Sequence, residues 1–541
     1  MKKILTFFLV LSLFTSLPIF AQKALSSNAC GTSSEDMHTI FDRMQENRAR
    51  YGNAVQMRAV AYIPVALHLA AKTDGTGRIS EARVLDYLAA TNATYAANGL
   101  EMQFYIKYLT YINNDDFYDK PSSFASVNRS YSLKKRDALN IFFCNNLGDG
   151  SDPTVTRLGY YQQVAAGNDI SYSADWVFIK NSEVANGTSS TLEHELGHFF
   201  SLNHTFYGFD DEPFVPTAAS PCAPVSMVFR GRTVLVEKVD RTGANANCST
   251  AGDGFCDTPA DYNLGLGWPN CNYTGLAKDP TCIAVDPDET NMMGYFTKDC
   301  ANKFSGQQKN AMRVDYLNTS QRKYLRDGNT TPSLVDMVAP TLQIPANNTV
   351  TTSFSNINFD WTDVEGVKAF EPNNASGYLF EISTFPSFLA SNHSFRVPNS
   401  SFNLLSSNLP ANYLVANKKY YWRVRPYSTY KTAFTYQPAF SFVTGTLNAV
   451  HDIEGIENFT LSPNPLLASQ ILDINLTSNK VMDAVVRINS IAGQVVLSQK
   501  MRFETGSNSK QLTLNGLNKG LYILTIEAEN GVLNKKIIVA E

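Results

Sequence analysis

The chain has 541 residues, more than a single hydrophobic core can organise, so several folded units are expected. An apolar fraction of 44% with 17% charged residues is that of globular modules and excludes intrinsic disorder as the dominant state. A formal net charge of -4 leaves neither a basic footprint for nucleic acid nor a polybasic patch for a membrane surface.

The N-terminus places Lys2 and Lys3 ahead of an apolar run that closes on small residues. This pattern predicts a secretory signal peptide over 1–21, cut between Ala21 and Gln22. The run is short and Pro18 interrupts it, which argues against a retained anchor. No later stretch is apolar and long enough to span a bilayer, so the mature protein is expected outside the cell, secreted or at its surface. Export permits disulfides. Eight cysteines are present, none beyond residue 300, and six crowd between 222 and 300 in a Gly-, Pro-, Asp- and Asn-rich stretch. Cross-links would hold such a stretch, but six cysteines allow fifteen pairings and the sequence does not choose.

Residues 22–58 are polar and helix-like. "RAVAYIPVALHLA" (58–70) reads as the first strong strand, and a helix with Ser80 as N-cap follows. "ALNIFFC" (138–144) and "DWVFIK" (175–180) read as buried strands, and "SSTLEHELGHFFSL" as a helix. Strand, helix, strands, helix implies an α/β sheet with helices packed on it. Composition shifts near 336. From there to 446, short β runs ("NINFDWTD", "GYLFEIS", "KKYYWRVRPYS", "AFSFVTG") predict one β-sandwich. A linker opens a last unit, 447–541, again a small β-sandwich.

Three of the seven histidines fall within "HELGHFFSLNH". A helix turns about 100° per residue, so His194 and His198 project from one face, a turn apart, and can share one zinc ion. Glu195 is rotated toward the water such a metal holds, which suits a general base. His204 lies six residues on. A continuing helix would carry it about 600° round, facing away, so the helix must break and the chain turn back. His68, in the first strand, reads as a satisfied strand residue rather than a ligand. His38, His393 and His451 show no metal spacing.

"HELGHFFSLNH" resembles the elongated zinc signature of the metzincin metalloproteases. "TNMMGYF" (290–296) is similar to their Met-turn. "AGDGFCDTPAD" and "CANKFSGQQKNAMR" are similar to the pappalysin (cytophagalysin-like) branch. The resemblance covers about 55–325. It implies a multidomain chain: an α/β catalytic domain over 59–335, with a mixed twisted sheet and an active-site helix, followed by two small β-sandwich domains. It further implies His194, His198 and His204 as zinc ligands, Glu195 as general acid/base, Met293 as the floor of the site and Tyr295 as a hydrogen-bond donor to the tetrahedral intermediate. Calcium sites occur in this family, and Asp253 could hold one. Relatives carry Gly where this chain has Ser201. Either Ser201 bears a backbone strain of roughly 1–2 kcal/mol or the turn sits at Asn203.

Cys30, in "NACGTSS", resembles the family's pro-segment cysteine, whose thiolate caps the zinc and keeps the enzyme latent. The pro-segment would span 22–58, with removal after Arg48, Arg50 or Arg58. The alternative is a Cys30–Cys144 disulfide. The last 80 or so residues look like the sorting domain of the type IX export system, whose machinery would be a partner. The 336–446 unit is similar to fibronectin type III modules, with Trp361 and Trp422 as core aromatics rather than carbohydrate contacts. The function expected is a secreted zinc endopeptidase acting on protein or peptide substrates. The competing reading is a non-catalytic surface adhesin with a structural zinc site.

Overall fold

The computed structural model describes residues 30–52, 57, 59–148, 157–163, 174–186, 189–297, 299–327, 338–364, 376–388, 392–428, 436–445, 453, 455–467, 471–490, 494–514, 517–528 and 531–540. The signal-peptide assignment therefore lies outside the described residues, as do Arg58 and His451. Contacts divide the chain into two units. The first takes in Met1–Ile79, Thr91–Gln103 and Lys107–Asn329, the second Ser80–Ala90, Phe104–Ile106 and Thr330–Glu541.

The chain begins with helix α1 (Ser34–Tyr51), strand β1 (Ala61–Ala71), helix α2 (Glu81–Ala97) and strand β2 (Met102–Asn113). The Ser80 hydroxyl accepts from the Arg83 amide at the start of α2, the predicted cap. Then come α3 (Asp115–Asp119), α4 (Phe124–Leu133), β3 (Leu139–Cys144), β4 (Gly159–Gln162), β5 (Trp176–Lys180), α5 (Asn181–Asn186) and α6 (Thr191–Phe199). A hairpin, β6 (Ser226–Phe229) and β7 (Arg232–Leu235), and helices α7 (Gly306–Asn318) and α8 (Lys323–Arg326) follow; of these elements, the first turns of α2 and residues 104–106 of β2 fall in the second unit.

A five-stranded sheet runs β2-β1-β3-β5-β4. β3 is parallel to β1 and to β5, while the edge strand β4 is antiparallel to β5, so the sheet is mixed. Every residue of β3 is buried, which is why that strand reads as a continuous apolar run rather than an alternation. Helix α6 packs against β4 and β5, directly under the sheet edge. Downstream of α6 little regular structure forms. Three disulfides, Cys222–Cys282, Cys248–Cys256 and Cys271–Cys300, cross-link that region among the six crowded cysteines. Cys30 and Cys144 are both free, so the alternative disulfide between them is not formed.

The second unit holds two β-rich modules. In the first, β8 (Leu342–Ile344), β9 (Thr349–Val350), β10 (Asn356–Trp361), β11 (Ser376–Ser383), β12 (Asn392–Val397), β13 (Ser401–Leu405), β14 (Lys419–Ser428) and β15 (Phe440–Val443) form sheets ordered β13-β10-β8 and β12-β11-β14-β15-β9. Trp361 and Trp422 are both buried in the core shared by the two sheets, in one cluster with Phe359 and Phe380. The second has β16 (Ile456–Ser462), β17 (Leu466–Leu467), β18 (Ile471–Ser478), β19 (Met482–Ser490), β20 (Val495–Phe503), β21 (Gly506–Thr513), β22 (Gly520–Ala528) and β23 (Gly531–Ala540). Its sheets run β16-β18-β21 and β17-β23-β22-β19-β20. Burial alternates strictly along β18 and through most of β19, the pattern of strands with one face in a core. Among the described residues no helix is long and apolar enough to cross a membrane.

Candidate metal centre

Helix α6 delivers the first two histidines, and its C-terminus determines where the third goes. The Leu202 amide donates to the Gly197 carbonyl (2.9 Å) and the Ser201 amide to the His198 carbonyl (3.1 Å). This pair of bonds is a Schellman motif, with its left-handed residue at Ser201, whose φ is 73°. Of the two sites considered for the turn, Ser201 bears it and Asn203 has no positive φ. The break reverses the chain and brings His204 back.

The three imidazole Nε2 atoms converge: 3.1 Å separates His194 from His198, and 3.2 Å separates His204 from each. Each ring's other nitrogen is engaged. His194 Nδ1 meets the Met292 carbonyl (2.8 Å), His198 Nδ1 the Leu202 carbonyl (2.8 Å) and His204 Nδ1 Asp210 Oδ1 (2.6 Å). A carbonyl only accepts, so Nδ1 of His194 and of His198 carries the proton and each Nε2 presents a lone pair. Burial, then the neighbouring His204, pushes His194 down to about 3, and the same causes take His198 well below the usual imidazole range. Neutral rings with converging lone pairs repel unless a cation sits between them.

The donor set fits zinc. Tetrahedral Zn–N bonds of about 2.0–2.1 Å hold nitrogens about 3.3 Å apart. Cys30 Sγ lies 3.5 Å from His198 Nε2, and the four donor atoms all fall within 4.8 Å of one another. Among the described residues this is the one cluster of three or more such groups.

Cys30 also lies 3.6 Å from Glu195 Oε2, and the Thr32 hydroxyl donates to the same oxygen at 3.2 Å. Glu195 Oε1 is buried with no partner among the described residues. Burial drives the Glu195 carboxyl up to about 8, against hydrogen bonds from Cys30 and Thr32 that pull it down. The stretch holding Cys30 attaches to the sheet edge: Cys30 bridges Gly159 in parallel, and the Gly31 amide donates to the Gly159 carbonyl (2.8 Å). An open cavity of 170 Å³ is lined by Cys30, His194 and Glu195 together with Leu266, Tyr295 and Phe296.

Met293 is fully buried beneath α6. A Cβ on Gly197 would collide with Met293 Sδ, so glycine in "HELGH" permits the close approach. Asn291 Oδ1 accepts the Met293 amide (3.0 Å), and the Asn291 side chain exchanges two amide hydrogen bonds with Gln308 on α7 (3.1 and 3.2 Å). Asp315, seven residues further along α7, accepts from the Ser201 hydroxyl at 2.7 Å. The Tyr295 ring packs 4.8 Å from that of His204, and the Cys30 main chain hydrogen-bonds its phenol, which burial raises well above the ordinary value.

Asp253 lies apart from this cluster. Its Oδ1 accepts from the Phe255 amide and the Thr258 hydroxyl, both at 2.9 Å. Its Oδ2 and Glu237 Oε2 are buried without partners among the described residues. Burial pushes Asp253 up to about 7. His68 is buried in β1, with Nε2 3.0 Å from Asn140 Oδ1 and burial holding it down at about 4; it lies in the strand as expected, but only half satisfied, since its Nδ1 has no partner among the described residues. His38 bonds Tyr207, and His393 packs on Tyr413.

Asp210, Gly197, Thr32 and Arg43 were not singled out from the sequence. Only Asp210 left a usable signal, because a ligating histidine commonly donates its second N–H to a nearby carboxylate.

Residues 460–540 match the secretion system C-terminal sorting domain. An extracellular metalloprotease of Colletotrichum graminicola is 26% identical over 285 residues, 50% of this chain and 83% of that protein. One from Sordaria macrospora is 24% identical over 306 residues, covering 53% and 87%. Among solved structures, a mutant of Tannerella forsythia promirolysin aligns at 19% identity and a TM-score of 0.37, covering 55% of this chain and 97% of that one. The chain is a secreted metalloprotease that carries a C-terminal sorting domain.

Proposed function

We propose that the protein is a zinc-dependent endopeptidase of the pappalysin branch of the metzincins, made as a latent precursor. The observation that carries this reading is the convergence of three Nε2 atoms at 3.1–3.2 Å, with every Nδ1 engaged elsewhere. His194, His198 and His204 hold the zinc. A zinc ion held there would supply Lewis-acid chemistry, polarising a peptide carbonyl and lowering the pKa of water so that hydrolysis could run near neutral pH.

The chain's own groups then supply the proton chemistry. Glu195, with one oxygen lacking a partner and burial raising its proton affinity, accepts the proton from the attacking water and passes it to the leaving amine. Tyr295, once Cys30 no longer engages its phenol, donates to the oxygen of the tetrahedral intermediate. Met293 supports the ligands from beneath α6. The cavity beside Glu195 receives the substrate side chain. Residues 22–58 act as a pro-segment in which Cys30 caps the metal and Thr32 occupies Glu195. Asp253 is a calcium ligand, a role supported by its buried, unpartnered Oδ2. The C-terminal domain is read by a type IX export machine.

The test is casein hydrolysis by the processed chain with Glu195→Ala as control. The variant is expected to keep stoichiometric zinc and lose activity by about 10²–10⁴-fold. Hydrolysis by the variant equal to the parent overturns the assigned mechanism. A parent that binds zinc yet never hydrolyses peptide favours the adhesin reading.

A further inference from the structure

The turn that returns His204 is gripped from outside by α1. Arg43 is nine-tenths buried, and all five of its N–H groups find acceptors. Nε donates to the Ser201 hydroxyl at 2.6 Å. Nη1 donates to Gln163 Oε1 and to Gln321 Oε1 (3.0 Å). Nη2 donates to the main-chain carbonyls of His198 (3.4 Å) and Phe199 (3.2 Å). These carbonyls end α6, where the helix dipole favours a cation. Asp315, fully buried, lies 3.5 Å from Arg43 Nε and shares Arg322 with Asp175. Arg43 is thus a second buried cation for two buried carboxylates.

Ser201 sits at the centre. Its hydroxyl accepts from Arg43 and donates to Asp315 (2.7 Å) while its backbone holds φ 73°. Glycine would take that φ without strain but would lose both bonds. The strained serine therefore brings something glycine lacks: a link between a guanidinium on α1 and the turn bearing a metal ligand.

We propose that the pocket formed by Gln163, Ser201, Asp315, Gln321 and the His198 and Phe199 carbonyls is a guanidinium-binding site, that Arg43 is its resident ligand, and that Ser201 is the positioning residue through which occupancy stiffens the turn leading to His204. Five acceptors arranged around a planar fork select a guanidinium over an ammonium, which has three donors on one point. Release of α1 on processing empties the site, so the precursor is held by a thiol in front of the metal and an arginine behind it. That consequence for latency rests on the proposed function; the site itself does not.

The test uses the full-length chain and amide hydrogen exchange, with β1 and β3 amides as the folding control. Arg43→Ala is expected to speed exchange of amides 200–205 at least tenfold. Ethylguanidinium at millimolar concentration should restore protection, and ethylammonium should not. Arg43→Lys, which keeps the charge, should still exchange threefold or more faster than the parent and serves should the alanine variant not fold. Combining Arg43→Ala with Ser201→Gly should abolish the rescue. Unchanged exchange in both Arg43 variants, equal rescue by the two cations, or full rescue without the Ser201 hydroxyl overturns the proposal. Zinc content and casein hydrolysis of the processed parent, measured separately, report on the proposed function, and their failure leaves the exchange result standing.

Discussion

Asp210 is the only side chain among the three partners that orient the proposed ligands, because His194 and His198 rest on main-chain carbonyls that no substitution removes. Its Oδ1 is 2.6 Å from His204 Nδ1, and its Oδ2 accepts the Gly208 amide at 2.8 Å, which fixes the carboxylate in place. Asp210→Ala removes the acceptor, frees the imidazole to rotate or take the other tautomer, and lowers its basicity toward the metal. Loss of such a partner typically weakens metal binding about 10–100-fold, or roughly 1.4–2.7 kcal/mol. Asp210→Asn keeps an acceptor oxygen without its charge and should fall between. Zinc affinity is measured on the processed chain by competition with a chromogenic chelator. Asp211→Asn, one residue on and paired with the exposed Arg230, is the control and should change nothing. An Asp210→Ala affinity within twofold of the parent refutes the orientation argument.

Burial lifts the Asp36 carboxyl, near the start of α1, to about 6, against hydrogen bonds from Ser33 and the Gln163 amide. A carboxyl whose folded pKa exceeds its unfolded 3.8 stabilises the packed helix fully below about 4 and loses that contribution as pH rises through about 6. The attachment of α1 should weaken by up to about 3 kcal/mol over that window, and Asp36→Asn should flatten the profile of exchange in α1. Reductant should lower one calorimetric transition and spare the other, because all cysteines lie at or before residue 300, outside the second unit. The Cys222–Cys282 bridge, with a sequence separation of 60, contributes most, about 4 kcal/mol by loop closure. Gly197→Ala should cost about 1–3 kcal/mol in the first unit, read as a fall in its melting temperature, since the new methyl meets the Met293 sulfur.

The helical period alone placed His194 and His198 together, and the same arithmetic demanded a break before His204. It could not say which residue would bend, because that depends on hydrogen bonds from residues 201 and 202 back to 198 and 197. The buried strands β3 and β5 were legible as apolar runs. β2 and the four-residue β4 were not, since β2 alternates only loosely and β4 is too short to show a period. Arg43 and Ser201 are 158 positions apart, and no local pattern announces such a contact. The cysteine crowding pointed to cross-links but was silent on partners.

One helix reaches both loops that bracket the candidate metal centre. Gln308 near the start of α7 clasps Asn291 beside Met293, and Asp315 near its end clasps Ser201. Seven residues are nearly two full turns, so both side chains leave the same side of the rod. α7 thus acts as a ruler, setting the distance between the Met293 loop and the turn at Ser201. A single residue inserted between 308 and 315 would rotate one hook by about 100° and leave one of the loops untethered.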